Sequence, residues 1–458
     1  MREAPDDADR SPIAVTPPAA VTGDTQRREI LRLALPALGA LVAQPLFVLL
    51  DAAIVGTLGT AQLAGLGAAA TVVSLLLGLC VFLAYATTSS VARRVGEGRW
   101  ADAVGEGIEG MSLGLGLGVV LGVAVVLLAP AAVGLLGTSP DVTPYAVTYL
   151  RVVALGFPGA LAALAGVGVL RGLQDTRATL RVTVVAVALN AVLAVLLVLV
   201  LHRGVAGSAA ATAVADWVQA AAYAVVLARV ARVHGVRPRP SGLGMLGAAR
   251  AGVPLFWRTV LLRAVYLLAA AVAARMGDAD LAAYHVSFQF FMLLALTADA
   301  LAIAGMALLG RYLGSGDVSL ARAATGRLVR LGLGLGVVLA LLLLAVAPWL
   351  PAAFSSDPVV RGLVTASLLV AAVQQPLAVP VFVLDGVLIG AGDARWLAGA
   401  GAVVLVAFAP AAYLVLAHDL GVVGLWWALG WFLLVRGALL GWRARGRAWL
   451  RPSAGATA

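Results

Sequence analysis

The chain has no lysine, one cysteine and four histidines, and only 12% of its 458 residues are charged, about half the share of an average soluble domain. Each scarcity excludes something. A single cysteine, Cys80, cannot form an intrachain disulfide, and its place inside an apolar run makes it a small core hydrophobe. The few Cys and His residues show no metal-ligand spacing, so no metal site and no cofactor are expected. There is no Walker P-loop and no nucleophile elbow, and the glycine strings GEGIEG and LGLGLG lack the strand–turn–helix setting of a dinucleotide site. Enzymatic chemistry and direct ATP coupling therefore have no carrier. Residues 1–26 lack an apolar stretch followed by a cleavage pattern, which argues for a disordered cytoplasmic tail over a cleaved signal peptide.

What the chain has instead is apolar surface, with 62% hydrophobic residues. A bilayer-spanning helix takes about 20 mainly apolar residues. Twelve segments qualify, at 30–56, 62–92, 103–130, 142–170, 178–201, 205–228, 248–274, 280–310, 321–350, 359–391, 394–417 and 422–442. The predicted fold class is an all-α polytopic membrane protein. All 32 basic residues are arginine and set a net charge of +10. They cluster between apolar runs as orientation signals do, which argues against nucleic-acid binding. With the amino terminus inside, 26 arginines fall on the cytoplasmic side, Arg171 and Arg436 among them. Arg203, Arg275 and Arg361 fall outside, and Arg151, Arg258 and Arg263 lie within spans. Both termini are then cytoplasmic and the protein is multi-pass in the cell membrane.

A constant offset of 218 residues aligns the two halves. Pro36 meets Pro254, Gly59 meets Gly277, Arg93 meets Arg311 and Gly96 meets Gly314. Pro158 meets Pro376, and Gly172, Asp175 and Arg177 meet Gly390, Asp393 and Arg395. Each copy holds six segments, an even number, so both have the same orientation and form two six-helix lobes. Parallel repeats of this kind characterise secondary transporters, with the substrate between the lobes. The domain reading is a tail at 1–27, an N-terminal lobe at 28–230, a cytoplasmic linker at 231–247, a C-terminal lobe at 248–446 and a second tail at 447–458.

The charges inside the membrane break this symmetry. Asp51 faces Ala269 in the other copy, Asp216 faces Leu434, Asp299 faces Val81 and Asp385 faces Val167. Arg258 faces Ala40 and Arg263 faces Pro45. A charge near the bilayer centre costs about 2.5–3.5 kcal/mol even on the gentlest scale, so each needs a partner or a cavity. Asp51, in the outer half of the first segment, is a candidate for loading and releasing protons; the alternative is a structural salt bridge to Arg258 or Arg263. Some of the other acids should pair with the arginines of the seventh segment. His285 and Gln289 in the eighth segment either line a cavity or anchor and pack the helix. Pro36 and Pro45, and Pro376 and Pro380, predict kinks in the first and tenth segments.

The strings PLFVLLDAAIVGTLGTAQLAGLG, SSVARRVGEGR and LRGLQDTR resemble the multidrug and toxic compound extrusion (MATE) transporters. ADALAIAGMALLGRYLGSGD and VLDGVLIGAGDAR are similar to its DinF branch. The resemblance covers about residues 28–446. It implies twelve helices in two lobes and antiport of a small-molecule substrate, often a lipophilic cation, against H+ or Na+. It implies an ion-coupling site at Asp51 with Asn190 and Thr212. A second acid found in some members is Ala194 here, and Asp216, one turn beyond Thr212, is a candidate substitute. Asp385 resembles the DinF-branch aspartate of the tenth helix; with Arg258, Arg263, His285, Gln289 and Asp299 it makes a candidate substrate-cavity or second-lobe coupling set. The expected form is a monomer in the lipid bilayer. A second reading is a flippase for a lipid-linked precursor or amphiphile, for which extra helices and a more basic cavity would be expected. A membrane-bound enzyme or channel would need a reactive cluster or a continuous polar pore.

Overall fold

A computed structural model describes residues 23–236 and 241–451. The expectations for residues 1–22, for 237–240 of the linker and for the last seven residues lie outside the described residues. Among the described residues there is no strand, and twelve helical spans are long and apolar enough to cross a membrane. They are α1 (Asp24–Gly56), α2 (Thr60–Gly96), α3 (Trp100–Leu135), α4 (Thr143–Gly172), α5 (Thr176–Val200) and α6 (Gly204–Val233), then α7 (Gly242–Met276), α8 (Asp278–Gly314), α9 (Val318–Val346), α10 (Pro358–Gly390), α11 (Ala394–Ala417) and α12 (Gly421–Arg445). Helices α1–α6 and α7–α12 form the two lobes.

The helix starts are written in short polar side chains. Asp175 accepts from the Ala178 amide at 2.9 Å, Asp317 from Leu320 at 2.8 Å and Ser241 from Gly244 at 3.0 Å, each satisfying an orphan N–H of a first turn. The Ser241 cap starts α7 inside the stretch assigned to the linker. Helix α1 likewise starts within the predicted tail. Beyond α12 the chain turns back, with Trp449 and Leu450 buried and the indole donating to the Ala444 carbonyl.

The duplication is visible in the backbone. Gly59 and Gly277, which share a repeat position, join α1 to α2 and α7 to α8 with φ of 134° and 119°, a conformation that only glycine adopts readily. The four prolines that predict kinks lie inside helices that run through them, α1 and α10. Helix α4 tightens into a 3₁₀ turn at Ala154–Gly156, just before Pro158, and α5 ends in a π turn at Leu196–Val200.

Contacts between the lobes gather on the side of the arginine-rich connections. The Arg93 guanidinium of α2 donates to the Ala391 carbonyl after α10 at 2.9 Å, and the Arg311 guanidinium of α8 donates to the Gln174 side chain after α4 at 2.7 Å. Each repeat-related arginine thus holds the turn of the other lobe. Ser89 donates to the Gly390 carbonyl, and Tyr312 donates to Glu29 of α1. Helices α2 and α8 cross so closely here that a Cβ on Gly96 would fall on the Arg311 carbonyl and one on Gly314 on the Arg93 carbonyl. An apolar core shared by both lobes, including Ile30, Leu33, Leu83, Leu255, Leu308 and Val387, backs this closed side.

Candidate functional site

The polar residues of the bundle interior fall into two clusters. In the N-terminal lobe, Asp51 of α1 is 4% exposed and accepts a hydrogen bond from the Ser208 hydroxyl of α6 at 2.6 Å. Ser208, Thr212 and Asp216 are four residues apart and so lie along one face of α6. The Tyr149 hydroxyl of α4 interacts with Ser208 and Thr212 and lies within electrostatic reach of Asp51 and Asp216. From α5, buried Asn190 donates to Thr212 at 3.4 Å, while its amide oxygen is buried without a partner. The structure thus brings together Asp51, Asn190, Thr212 and, through Tyr149, Asp216. Among the described residues no arginine pairs with Asp51, so the salt bridge to Arg258 or Arg263 considered as its alternative does not form.

Asp216 makes no hydrogen bond or ion pair with a described residue; its carboxylate lies over Gly156, where the absence of a side chain leaves room for it. Ser208 and Tyr149 escaped the sequence reading. Their types are common, and only the helix packing shows that Ser208 bonds to Asp51 and that Tyr149 comes within electrostatic reach of it.

The second cluster centres on Asp385 of α10, 6% exposed. Arg258 of α7 grips it with both its Nε, at 3.1 Å, and a terminal nitrogen, and Arg436 of α12 adds a contact at 3.1 Å. The expected pairing of a buried acid with an arginine of the seventh helix is therefore made by Arg258. Arg258 also stands 5.8 Å from the ring of Tyr85, which α2 contributes from the other lobe. Asp299 of α8 forms no direct ion pair with a described residue but lies within electrostatic reach of Arg258, Arg171 and Arg436. Arg171 and Arg436 correct the sequence reading, which counted both among the cytoplasmic arginines. They are 8% and 5% exposed, inside the bundle. Arg171 keeps its Nε buried without a hydrogen-bond partner.

Three predicted residues stand apart from both clusters. Arg263 is exposed, with its guanidinium against Gly78 of α2 and no ion pair with a described residue. His285 and Gln289 are exposed one turn apart on α8, His285 touching the ring of Tyr284. Among the described residues no group of three or more His, Cys, Asp or Glu side chains is placed to hold a metal ion.

The MatE family model matches this chain twice, at residues 36–196 and 254–414, starting points separated by the repeat offset of 218 residues. Protein DETOXIFICATION 43 of Arabidopsis thaliana is 30% identical, with 90% of this chain and 89% of that one covered. DNA damage-inducible protein F of Escherichia coli is 27% identical over 92% of this chain and 93% of its own. Among solved structures, the Vibrio cholerae MATE transporter VcmN in its bent form superposes with a TM-score of 0.84 at 20% identity, over 93% of this chain and 98% of that one. With the family model matching most of its length, the chain belongs to the multidrug and toxic compound extrusion family, whose members are membrane transporters of small molecules and not enzymes.

Proposed function

We propose that this protein is a secondary active antiporter that exports drugs or other lipophilic, often cationic, compounds in exchange for H+ or Na+ by alternating access. It works as a monomer in the cytoplasmic membrane with both termini inside. The observation that carries this reading is the state of Asp51, a buried carboxylate that accepts from a hydroxyl, has a phenol within electrostatic reach and, among the described residues, has no arginine to neutralise it. Such a group can take up a cation without first breaking an ion pair. Asn190, Thr212 and Asp216 complete the ion site, with the unpartnered Asn190 oxygen as a second acceptor. Arg258, Asp299 and Asp385 form the second-lobe coupling set, and Arg263, His285 and Gln289 face the substrate path.

An ion bound at Asp51 can shift the balance between the closed arginine-rich side and its opposite only if its affinity differs between the two states. The test is Asp51→Asn in proteoliposomes with imposed Na+ and pH gradients, over a panel of dyes and amphiphiles. The expected result is loss of gradient-driven efflux with protein still inserted and folded. Unimpaired efflux by the variant would overturn the assignment, and the gradient that drives the wild type identifies the ion.

A further inference from the structure

The duplicated scaffold carries its own control for a second site. Where α1 crosses α8 and α9, Ile30 and Leu33 are completely or almost completely buried and pack into a core with Ala324 and Leu328. At the repeat-related seam, where α7 crosses α2 and α3, the 218-residue offset replaces Ile30 and Leu33 by Ala248 and Ala251, Glu29 by Gly247, and Leu328 by Gly110. Every one of these exchanges removes volume, and the seam is hollow. A cavity of about 370 Å³ lies there, between the lobes and toward the arginine-rich side.

Its lining is as asymmetric as its volume. Glu106 and Glu109 of α3 stand on one wall, where the second copy has Ala324 and Arg327. Thr87 and Ser90 of α2 add hydroxyls, where the second copy has Gly305 and Leu308. The scaffold therefore does not require these polar groups, since its other copy folds without them. Glu106 shares Arg94 with Glu97, and Glu109 accepts a hydrogen bond from Ser241 at 2.9 Å, with no cation beside it among the described residues. Its carboxylate lies directly over Gly244, where a side chain would displace it. Phe82 and Leu113 supply the apolar walls.

The volume falls in the range of pockets that take drug-sized molecules, about 300–1,000 Å³. Two carboxylates repel an anion, and the space is far too large to dehydrate a metal ion with two acidic ligands. We propose that this seam cavity is a binding site for a lipophilic organic cation, separate from Asp51, with the aromatic and apolar walls taking the body and Glu106 and Glu109 the charge. Its use as a reception site for cargo rests on the exporter reading; its selectivity for cations does not.

The experiment uses the full chain with Ala248→Cys, because the native Cys80 is buried and 4% exposed. Modification by a trimethylammonium methanethiosulfonate is compared with modification by the sulfonate analogue, each normalised to free cysteine. The acidic wall should favour the cationic reagent by about tenfold. The Glu106→Gln/Glu109→Gln pair should abolish that preference, and rhodamine 6G should protect the thiol when the glutamates are present and fail to protect it in the glutamine pair. Gly247→Leu, which fills open space, should also abolish protection. A reagent preference or a dye protection that survives the glutamine pair would overturn the proposal. If Ala248→Cys does not insert, Ala251→Cys on the same wall replaces it. Asp51→Asn should stop efflux yet leave protection intact, and protection without any dye efflux by the wild type would sink the exporter reading while the site stands.

Discussion

Two buried aspartates, one in each lobe, hold opposite surroundings. Among the described residues, Asp51 on α1 accepts from a hydroxyl of its own lobe, has the Tyr149 phenol within electrostatic reach and pairs with no cation. Asp385 on α10 is held by Arg258 and Arg436, with a third arginine, Arg171, near Asp299 in the same cluster. The same six-helix scaffold has thus been charged in two ways. Adding a cation at Asp51 neutralises a lone charge. Adding one at Asp385 would strand two buried guanidiniums, which is costly in a low-dielectric interior. The lobe with neutral surroundings is suited to exchange of an ion, and in the other lobe any coupling works through a clamp that also holds helices α7, α10 and α12 together.

The largest effect should come from breaking the clamp. Asp385→Asn leaves Arg258 and Arg436 buried without their acceptor and should destabilise the protein by about 3–5 kcal/mol, measured as loss of folded protein on denaturation in mild detergent. A double variant, Asp385→Leu with Arg258→Leu, should recover part of that loss, because the uncompensated charge falls from two guanidiniums to one. If the single variant is as stable as the wild type, the contrast between the lobes fails.

A somewhat smaller effect should follow at the crossing of α2 and α8. Gly96→Leu places a side chain on the Arg311 backbone, and relieving such overpacking costs about 1–3 kcal/mol. The lobes should separate on the arginine-rich side, breaking the reciprocal Arg93–Ala391 and Arg311–Gln174 contacts. Spin labels on the 2/3 and 8/9 connections would report a longer interlobe distance. An unchanged distance would mean that the tight crossing does not set the closed state.

Ser208→Ala should cost less again, about 1 kcal/mol, by removing the hydrogen bond to Asp51. It sharpens the comparison because its effect on ion affinity should exceed its effect on stability. Ion-dependent quenching of tryptophan fluorescence, set beside an unfolding curve for the same variant, would separate the two.

The spans, the two lobes and the repeat were legible because they rest on long apolar runs and on a fixed offset between Pro, Gly and Arg residues. Asp51, Asn190 and Thr212 were legible through family resemblance, and the structure brings them together. Arg171 and Arg436 were misread because a charge near a span end looks like an orientation signal. Only the packing of α4 and α12 shows that these two point inward. For Arg436 a signal was present: it lies within the twelfth apolar segment, between Val435 and Gly437. The pairing of Arg258 with Asp385 spans 127 residues and three intervening connections, a distance over which composition carries no information. The hollow seam was hidden for a similar reason. Its α7 wall of small residues straddles the predicted boundary between linker and lobe, and smallness becomes a cavity only beside the filled copy at Ile30 and Leu33.

The smallest expected loss of stability belongs to the variant with the greatest expected effect on transport. Asp51→Asn keeps the size of the side chain and leaves an amide oxygen to accept from Ser208. No guanidinium loses a partner, and burial of a neutral amide costs less than burial of a charge. Denaturation of the variant should therefore differ from the wild type by under about 1 kcal/mol, while gradient-driven efflux is lost. The same conservative exchange at Asp385 should do the reverse in rank, damaging stability first. Measuring both variants by both assays tests the comparison as a whole: if the two aspartates give the same ratio of stability loss to transport loss, their different surroundings have no functional meaning.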